Sequence, residues 1–277
     1  MARVSLPKSQ VRARRRGRRA RIALLLAALF LALCVGVVWF LHASFVRVVV
    51  VNISGAESIT AAQVTDAVHA AISGAYLSII PRDSIFFYPK RSIEADLLNS
   101  FPSLKSAIVH AENFDSISVA IGERHPQALW CGAEASSSSC ALMDEGGVVY
   151  GHAADFSGDA YTQYFGAAEP LRPGAELPMQ YLTKEQYSAL YALVAAIEKT
   201  QPGDTVVQVV VDDGGDVRAH FQQDFFLLFS INDKGADIYE RFTLALTAEP
   251  FTTHALTDFE YLDLRFGDKL YYKLKGQ

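Results

Sequence analysis

The longest apolar run of the chain covers residues 22–41, IALLLAALFLALCVGVVWFL, twenty residues without a single charge. A helix of this length rises roughly 30 Å, which matches the hydrocarbon thickness of a bilayer. Trp39 and Phe40 close the run, where aromatic side chains favour the membrane interface. The pattern predicts one transmembrane helix that contacts lipid through residues 22–41. A cleaved signal peptide is the alternative, since Leu41-His42-Ala43 resembles a small-residue cleavage site.

Between residues 46 and 125 the spacing of the apolar residues predicts a small α+β domain. A β-branched run from Phe45, FVRVVVVNISG, is typical of a buried strand that ends at Gly55. Thr60 and Gln63 form a capping box before an apolar stripe at helical spacing, and a second, short helix is expected from Ser92 to Phe101. Two alternating strands follow, so the predicted order is β-α-α-β-β. The predicted strands are 107–110 and 117–121.

Residues 126–277 predict a second α+β domain with a mainly antiparallel sheet that ends in an edge hairpin. A capping box of Thr183 and Gln186 begins one helix, and a second helix is expected near 237–246. A polar stretch up to about residue 168 gives no clear element. The predicted strands are 127–131, 140–143, 148–151, 205–211, 217–221, 225–231 and the two arms of the terminal hairpin EYLDLRFGDKLYYKLK.

The terminal hairpin allows a prediction of register, because a one-residue slip moves every side chain to the other face. A three-residue loop would keep the apolar side chains of the two arms together, and it sets Asp263 opposite Lys273. Little chain follows Leu274, so the last arm is expected at a sheet edge, protected by Lys269, Lys273 and Lys275. The expected pairs are Phe266 with Leu270, Leu264 with Tyr272 and Leu262 with Leu274.

The charge is distributed unevenly between the two ends of the chain. Residues 1–21 hold nine of the 25 Lys and Arg residues and no acid, which leaves 16 basic residues against 30 acidic ones, a net charge of −14, in the rest. A basic tail next to an apolar span predicts a cytoplasmic N-terminus and an extracytoplasmic remainder. Because the tail lacks interleaved aromatic residues, we expect no nucleic-acid partner.

The three cysteines divide between the predicted span and the exported part. Cys34 lies within the span. Cys131 and Cys140 enclose GAEASSSS, a small polar loop between two predicted strands, and are a candidate disulfide that closes a hairpin. Two free thiols are the alternative, and two exported cysteines are too few for the usual structural zinc site.

Motifs of catalysis are absent from the sequence. It contains no H-E-x-x-H, G-x-S-x-G, P-loop or G-x-G-x-x-G pattern, and its histidines are scattered. We therefore predict no catalytic residue, no cofactor, no metal site and no small-molecule substrate, and a protein that is not an enzyme. The alternative is a membrane-anchored exported hydrolase of the cell wall, which would need a cleft with convergent titratable groups.

Several segments resemble, in order, the FtsQ/DivIB family of bacterial cell-division proteins. Val51-Asn-Ile-Ser-Gly55 is similar to the opening strand of the family's POTRA domain, and IGERHPQALW at 121–130 resembles its E-R-x-P-x-A-x-W run. Leu142-Met-Asp-Glu-Gly146 is similar to the turn into the family's second domain. Tyr261-Leu-Asp-Leu-Arg-Phe266 and Tyr271-Tyr-Lys273 resemble its terminal hairpin.

The resemblance implies a scaffold of the division complex at the septum, in the cytoplasmic membrane. It divides the chain into a cytoplasmic tail (1–21), a span (22–41), a POTRA domain (46–125) and an FtsQ/DivIB-type β domain (126–277). The implied partners are small bitopic proteins like FtsB (DivIC) and FtsL, bound by strand addition to the terminal hairpin. The candidate partner contacts are Arg265, Phe266, Tyr271, Tyr272 and Lys273, with Tyr272 on the apolar face and Tyr271 on the polar face.

Overall fold

The computed structural model describes residues 8–132, 140–153, 160–166, 177–201 and 204–276. The chain is a mixed α+β protein and divides into two compact units, Met1–Glu123 and Arg124–Gln277. Residues 1–7 of the basic tail, and 154–159 and 167–168 of the polar stretch predicted to run to about residue 168, lie outside the described residues. So do 133–139 of the loop between Cys131 and Cys140.

The first helix, α1, runs from Lys8 to Leu41 and contains the predicted span. Its Arg21–Leu41 portion is the one segment within the described residues that is long and apolar enough to cross a membrane. Its apolar side chains, such as Leu24 and Leu29, are exposed in the protein, as lipid-facing side chains would be. These features are consistent with a single-pass membrane protein and confirm the predicted apolar helix. The helix begins within the basic tail rather than at Ile22.

The rest of the first unit has the predicted order strand, helix, helix, strand, strand, with a two-stranded hairpin added between the helices. β5 is the central strand of a three-stranded sheet, parallel to β1 and antiparallel to β4, in the order β1-β5-β4. The elements are β1 (Val50–Ser54), α2 (Ala61–Ile72), β2 (Ala75–Tyr76), β3 (Ile80–Pro81), α3 (Lys90–Ser100), β4 (Leu104–Ala111) and β5 (Ser116–Glu123).

The start of this unit differs from the strand predicted from Phe45. Ser44–Val46 form a 3-10 turn, and β1 begins only at Val50. β1 is also half-exposed rather than buried, because it pairs with β5 alone among the described strands. A β-branched run predicts extended backbone but does not show whether the strand lies at the centre or the edge of its sheet.

The apolar stripes of the two helices cover this small sheet. Thr60 and Gln63 make both hydrogen bonds of the predicted capping box and fix the start of α2. The buried side chains that share the core come from α2, α3, β4, β5 and the connecting segments, and Val51 and Ile53 of β1 pack against them partly buried. The fully buried ones include Val64, Val68, Ile93, Leu97, Val109, Ile117 and Val119.

The second unit is built on one ten-stranded mixed sheet, with six antiparallel and three parallel strand pairs. The strand order is β10-β8-β7-β6-β9-β11-β12-β13-β14-β15. The strands are β6 (Ala128–Trp130), β7 (Ala141–Met143), β8 (Val148–His152), β9 (Gln163–Gly166), β10 (Met179–Gln180), β11 (Val206–Val211), β12 (Asp216–Phe221), β13 (Phe226–Ser230), β14 (Phe259–Phe266) and β15 (Lys269–Leu274).

Within its described residues the second unit also contains two α-helices, α4 (Lys184–Thr200) and α5 (Gly235–Leu246). Thr183 and Gln186 form the predicted capping box at the start of α4. The buried stripes of both helices join one core with the inner face of the sheet. That core includes Tyr187, Leu190, Val194, Ile197, Ile238, Phe242, Val209, Val217, Leu227 and Leu262.

One central strand of this sheet, β9, had no counterpart among the predicted elements. It lies within the stretch that gave no clear pattern, between β6 and β11, and is parallel to both. Tyr164 and Phe165 of β9 are both buried, on opposite faces. A strand buried on both faces does not alternate, so its sequence carries no period-two pattern.

Candidate functional site

The open edge of the large sheet is the candidate functional site. β15 is the last strand in the order and pairs only with β14 among the residues the structure describes. An edge strand presents unpaired backbone N–H and C=O groups to one side. The edge therefore offers a row of hydrogen-bonding groups that a further extended segment can use.

The predicted register of this hairpin is wrong. Phe266 lies opposite Lys269, so Gly267 and Asp268 form a two-residue turn rather than part of a three-residue loop. Gly267 has φ +62°, which two-residue hairpin turns require and glycine readily adopts. Between Asp263 and Phe266, β14 contains a bulge, after which Asp263 faces Tyr271, not Lys273. The observed pairs further along are Leu262 with Tyr272, Tyr261 with Lys273 and Phe259 with Leu274.

The bulge explains why the apolar side chains of β14 and β15 lie on the same face of the hairpin without a three-residue loop. A two-residue turn alone would mix the apolar and polar faces, but one extra residue in β14 restores the alternation. Leu270 and Leu274 pack against the main core, and the Tyr272 ring lies 5.5 Å from Phe251 and 5.7 Å from Phe259. The apolar side chains of β15 thus share one face.

Backbone direction along β15 follows from one hydrogen bond at its end. Lys275 donates its N–H to the carbonyl oxygen of Asp258, 2.9 Å away, and so points towards β14. Because N–H groups alternate in direction along a strand, those of Lys269, Tyr271 and Lys273 also face β14. Both bulges of the pair lie in β14, so this alternation is unbroken in β15. The N–H groups that face the open edge are those of Leu270, Tyr272 and Leu274.

Aromatic side chains accompany this edge. Phe266 is 53% exposed and Tyr271 is 49% exposed, and their rings make an edge-to-face contact at 5.1 Å. Tyr271 lies on the polar face between Lys269 and Lys273. Exposed aromatic pairs of this kind are typical of anchor residues in protein interfaces.

Arg265 is held by two carboxylates of its own sheet. Its Nε and Nη2 atoms donate to Asp263 at 2.9 and 2.6 Å, and its Nη1 donates to Asp216 of β12. Hydrogen bonds to Asp263, first of all, raise the pKa of Arg265, so it is charged at any physiological pH. The guanidinium carbon lies 5.5 Å from the centre of the Phe266 ring. The geometry therefore gives Arg265 a positioning role beside Phe266.

Lys273 also has a partner within the hairpin. Its Nζ lies 2.5 Å from Glu260 Oε2, and this hydrogen bond raises the pKa of Lys273. Lys275 Nζ donates to the carbonyl oxygen of Gln223 at 3.2 Å. Glu260 and Asp216 were not among the candidate residues of the sequence analysis. Their carboxylates are the partners of Lys273 and Arg265, but the contact of Asp216 crosses 49 residues and no local pattern predicts it.

The structure joins Cys131 and Cys140 by a disulfide bond. The bond lies where β6 ends and β7 is about to begin, and these strands pair antiparallel through Ala128–Met143, Leu129–Leu142 and Trp130–Ala141. It therefore closes a hairpin, with Cys131 fully buried beside Leu129 and Phe165. Cys34 is a free thiol on the exposed surface of α1.

The charged side chains of Glu123, Arg124 and Asp144 hold loops of their own units in place. In the first unit, Glu123 accepts hydrogen bonds from the backbone N–H groups of Glu57, Ser58 and Ile59. In the second, Arg124 Nη1 lies 2.5 Å from Asp144 Oδ2, and Asp144 Oδ1 accepts from the N–H groups of Gly146 and Val148. Residues of the two motifs singled out in the sequence thus meet as structural contacts.

A cavity of about 480 Å³ lies in the second unit, beside β9 and β11. Glu198 is the one acidic or basic side chain in its lining, and Glu198 Oε1 accepts a hydrogen bond from the Val206 N–H at 2.8 Å. Among the described residues, no group of three or more His, Cys, Asp or Glu side chains is arranged to hold a metal ion.

Comparison with known proteins returned no family: no protein-family model matches the chain, and no curated protein matches its sequence.

Proposed function

We propose that this protein is a non-enzymatic scaffold that captures an extended segment of a partner by strand addition at β15. The observation that carries the proposal is the combination of an open strand edge with two exposed aromatic rings, Phe266 and Tyr271, beside it. Backbone hydrogen bonds along the edge supply affinity, and the aromatic side chains supply selectivity. The lysines of β15 discourage indiscriminate pairing with other chains.

We further propose that the scaffold is an FtsQ/DivIB-type component of the bacterial division complex. Support comes from the ordered sequence segments and from a span-length helix ahead of a strand-helix-helix-strand-strand unit. On this proposal the first unit is a POTRA domain, the N-terminus is cytoplasmic and the protein acts at the septum. The partners are FtsB/DivIC-like and FtsL-like bitopic proteins, whose exported segments supply the added strand.

On this proposal each candidate residue has a distinct role in binding the partner strand. Phe266 and Tyr271 contact the partner's side chains, since both rings are half-exposed. Tyr272 contributes its outward N–H, while its ring packs against Phe251 and Phe259. Arg265 holds Phe266 in place, and the Lys273–Glu260 ion pair keeps the polar face soluble.

The test compares two substitutions at one position, Tyr272→Pro and Tyr272→Ala. Both remove the ring, but only proline also removes the N–H that faces the open edge. We expect the proline variant to bind the exported segment of an FtsB/DivIC-like partner about tenfold more weakly than the alanine variant, the worth of roughly one backbone hydrogen bond. Affinities are measured by calorimetry on the full chain in detergent, and circular dichroism checks that both variants fold.

Equal binding by folded Tyr272→Pro and Tyr272→Ala would contradict strand addition at this edge. If the unsubstituted chain binds neither an FtsB/DivIC-like nor an FtsL-like segment, the division-scaffold proposal fails as well. Tyr271→Pro serves as a contrast, because the Tyr271 N–H faces β14 and its loss should lower stability.

A further inference from the structure

The hairpin of β2 and β3 in the first unit has an unusual apolar tip. Its turn is closed by the Ile79 N–H, which donates to the Tyr76 carbonyl oxygen at 3.0 Å. The two turn residues, Leu77 and Ser78, have φ values of +51° and +59°, a conformation that costs energy for any residue with a side chain. Leu77 is nevertheless 90% exposed, and Ile79 is also exposed. In water both the backbone and the side chain of Leu77 are unfavourably placed.

More exposed apolar side chains lie in the segments that flank this hairpin. Phe45, Phe86 and Phe87 are each about half exposed. Backbone hydrogen bonds connect the two segments, because Ile85 donates its N–H to Val46 at 2.9 Å. We call Leu77, Ile79, Phe45, Phe86 and Phe87 the apolar patch. Clusters of exposed large apolar side chains on a folded protein indicate a surface that is covered in use.

Two phenylalanines of the apolar patch lie against the end of the span-length helix, and the hairpin reaches the same helix through β3. The ring of Phe40, in the last turn of α1, lies 5.5 Å from Phe45 and 6.3 Å from Phe86. The next residue, Leu41, is buried against the same unit, and β3 contacts α1. A bilayer that surrounds α1 therefore meets these rings at its surface, where aromatic side chains are favoured.

The charge of this segment matches an anionic membrane surface. Residues 74–91 contain Arg82, Lys90 and Arg91 and a single acid, Asp83, a net charge of +2 in a part of the chain that sums to −14. The Arg82 guanidinium lies 5.4 Å from the centre of the Tyr76 ring. Basic side chains beside exposed apolar ones are the combination that binds anionic lipid surfaces.

We propose that the β2–β3 turn and the rest of the apolar patch insert into the lipid interface and form a second membrane contact of the first unit. Leu77 and Ile79 enter the acyl region, and Arg82, which lies over the Tyr76 ring of the hairpin, contacts lipid phosphates. Two contacts, the helix and the hairpin, then fix the tilt of the first unit against the bilayer. This contact does not depend on strand addition at β15.

The test measures the surroundings of Leu77 in the full chain reconstituted into vesicles of phosphatidylcholine and phosphatidylglycerol. In a Cys34→Ser background, with the Cys131–Cys140 bond intact, an NBD fluorophore is attached to Leu77→Cys. The matched control is Ala56→Cys, an exposed position of the same unit that follows the end of β1 and is not part of the apolar patch. Ile79→Cys supplies a second label in case Leu77→Cys fails to fold.

We expect iodide in the water to quench the label at Leu77 several-fold less than the label at Ala56. Lipids that carry a spin label on the acyl chain should quench the Leu77 label and leave the Ala56 label unaffected. Equal iodide quenching at the two positions would overturn the proposal. So would a label at Leu77 that is protected from iodide but not quenched by the lipids, because a protein and not the bilayer would then cover the patch.

Discussion

Gly55 and Gly74 both have positive φ, +81° and +88°, but only Gly55 is in contact with a neighbouring strand. A Cβ at Gly55 would lie 2.1 Å from the Ile121 carbonyl oxygen, whereas a Cβ at Gly74 would meet nothing within 4 Å. The two glycines therefore separate the cost of an unfavourable backbone conformation from the cost of a steric clash.

We expect Gly55→Ala to lower the unfolding free energy of the first unit by about 3 kcal/mol, since strain and clash add. Gly74→Ala, the control, should cost only about 1 kcal/mol for the backbone conformation. Chemical denaturation followed by circular dichroism measures both. Equal losses would show that the β1–β5 contact at Gly55 is not as close as the structure has it.

Glu123 makes the stability of the first unit depend on pH. Partial burial raises its pKa, but hydrogen bonds from the Ser58 hydroxyl and from the N–H groups of Glu57, Ser58 and Ile59 outweigh burial and lower it to about 2. Its unfolded value is about 4.3. The carboxylate therefore contributes stability that is complete above the unfolded pKa and is lost as the pH falls through about 2.

Glu123→Gln should remove this part of the pH dependence. We expect the substituted protein to be less stable than the original at pH 7 and the difference to shrink steadily as the pH is lowered from about 5 to 2. Denaturant unfolding of the two proteins at a series of pH values measures it. A difference that stays constant over this range would contradict the assignment of the low pKa to Glu123.

At the scale of elements, local signals were sufficient for the helices and failed for some strands. The capping boxes at Thr60 and Thr183 and the apolar stripes behind them depend on residues a few positions apart, so α2 and α4 could be predicted. β9 is held by parallel neighbours distant in sequence, and the bulge of β14 follows from packing of the finished sheet. Neither β9 nor the bulge can be predicted from the spacing of apolar residues nearby in the sequence.

The same distinction applies to the candidate site. That β15 ends the sheet was expected from its place in the chain, and its alternation placed Tyr271 and Tyr272 on opposite faces. The hydrogen bond from Arg265 to Asp216 could not be predicted, because it requires β12, β13 and β14 to be neighbours. Only the folded sheet shows which candidates are free to meet a partner.

The disulfide between Cys131 and Cys140 should stabilise the second unit. It closes a loop with a sequence separation of 9, for which chain entropy gives roughly 2.5 kcal/mol. We expect reduction to lower the unfolding free energy by this amount, and a Cys131→Ser, Cys140→Ser protein to match the reduced form. A protein whose stability does not respond to reductant would show that the bond contributes nothing to the fold.

At the scale of the whole molecule, the chain combines an apolar helix, an acidic remainder and an open strand edge. Among the described residues outside the helix, the large exposed apolar side chains include those of the apolar patch near Phe40 and those beside the β15 edge. Lipid is proposed to cover the first, and a partner strand the second. A scaffold needs such surfaces rather than a cleft with convergent titratable groups.

Amide hydrogen exchange along β15 tests the central claim, strand addition, most directly. In the free protein the N–H groups of Leu270, Tyr272 and Leu274 should exchange fast, while those of Tyr271 and Lys273, bonded to β14, should exchange slowly. Addition of the exported segment of an FtsB/DivIC-like or FtsL-like partner should slow the first set and leave the second set nearly unchanged. A bound complex in which Leu270, Tyr272 and Leu274 still exchange fast would contradict strand addition.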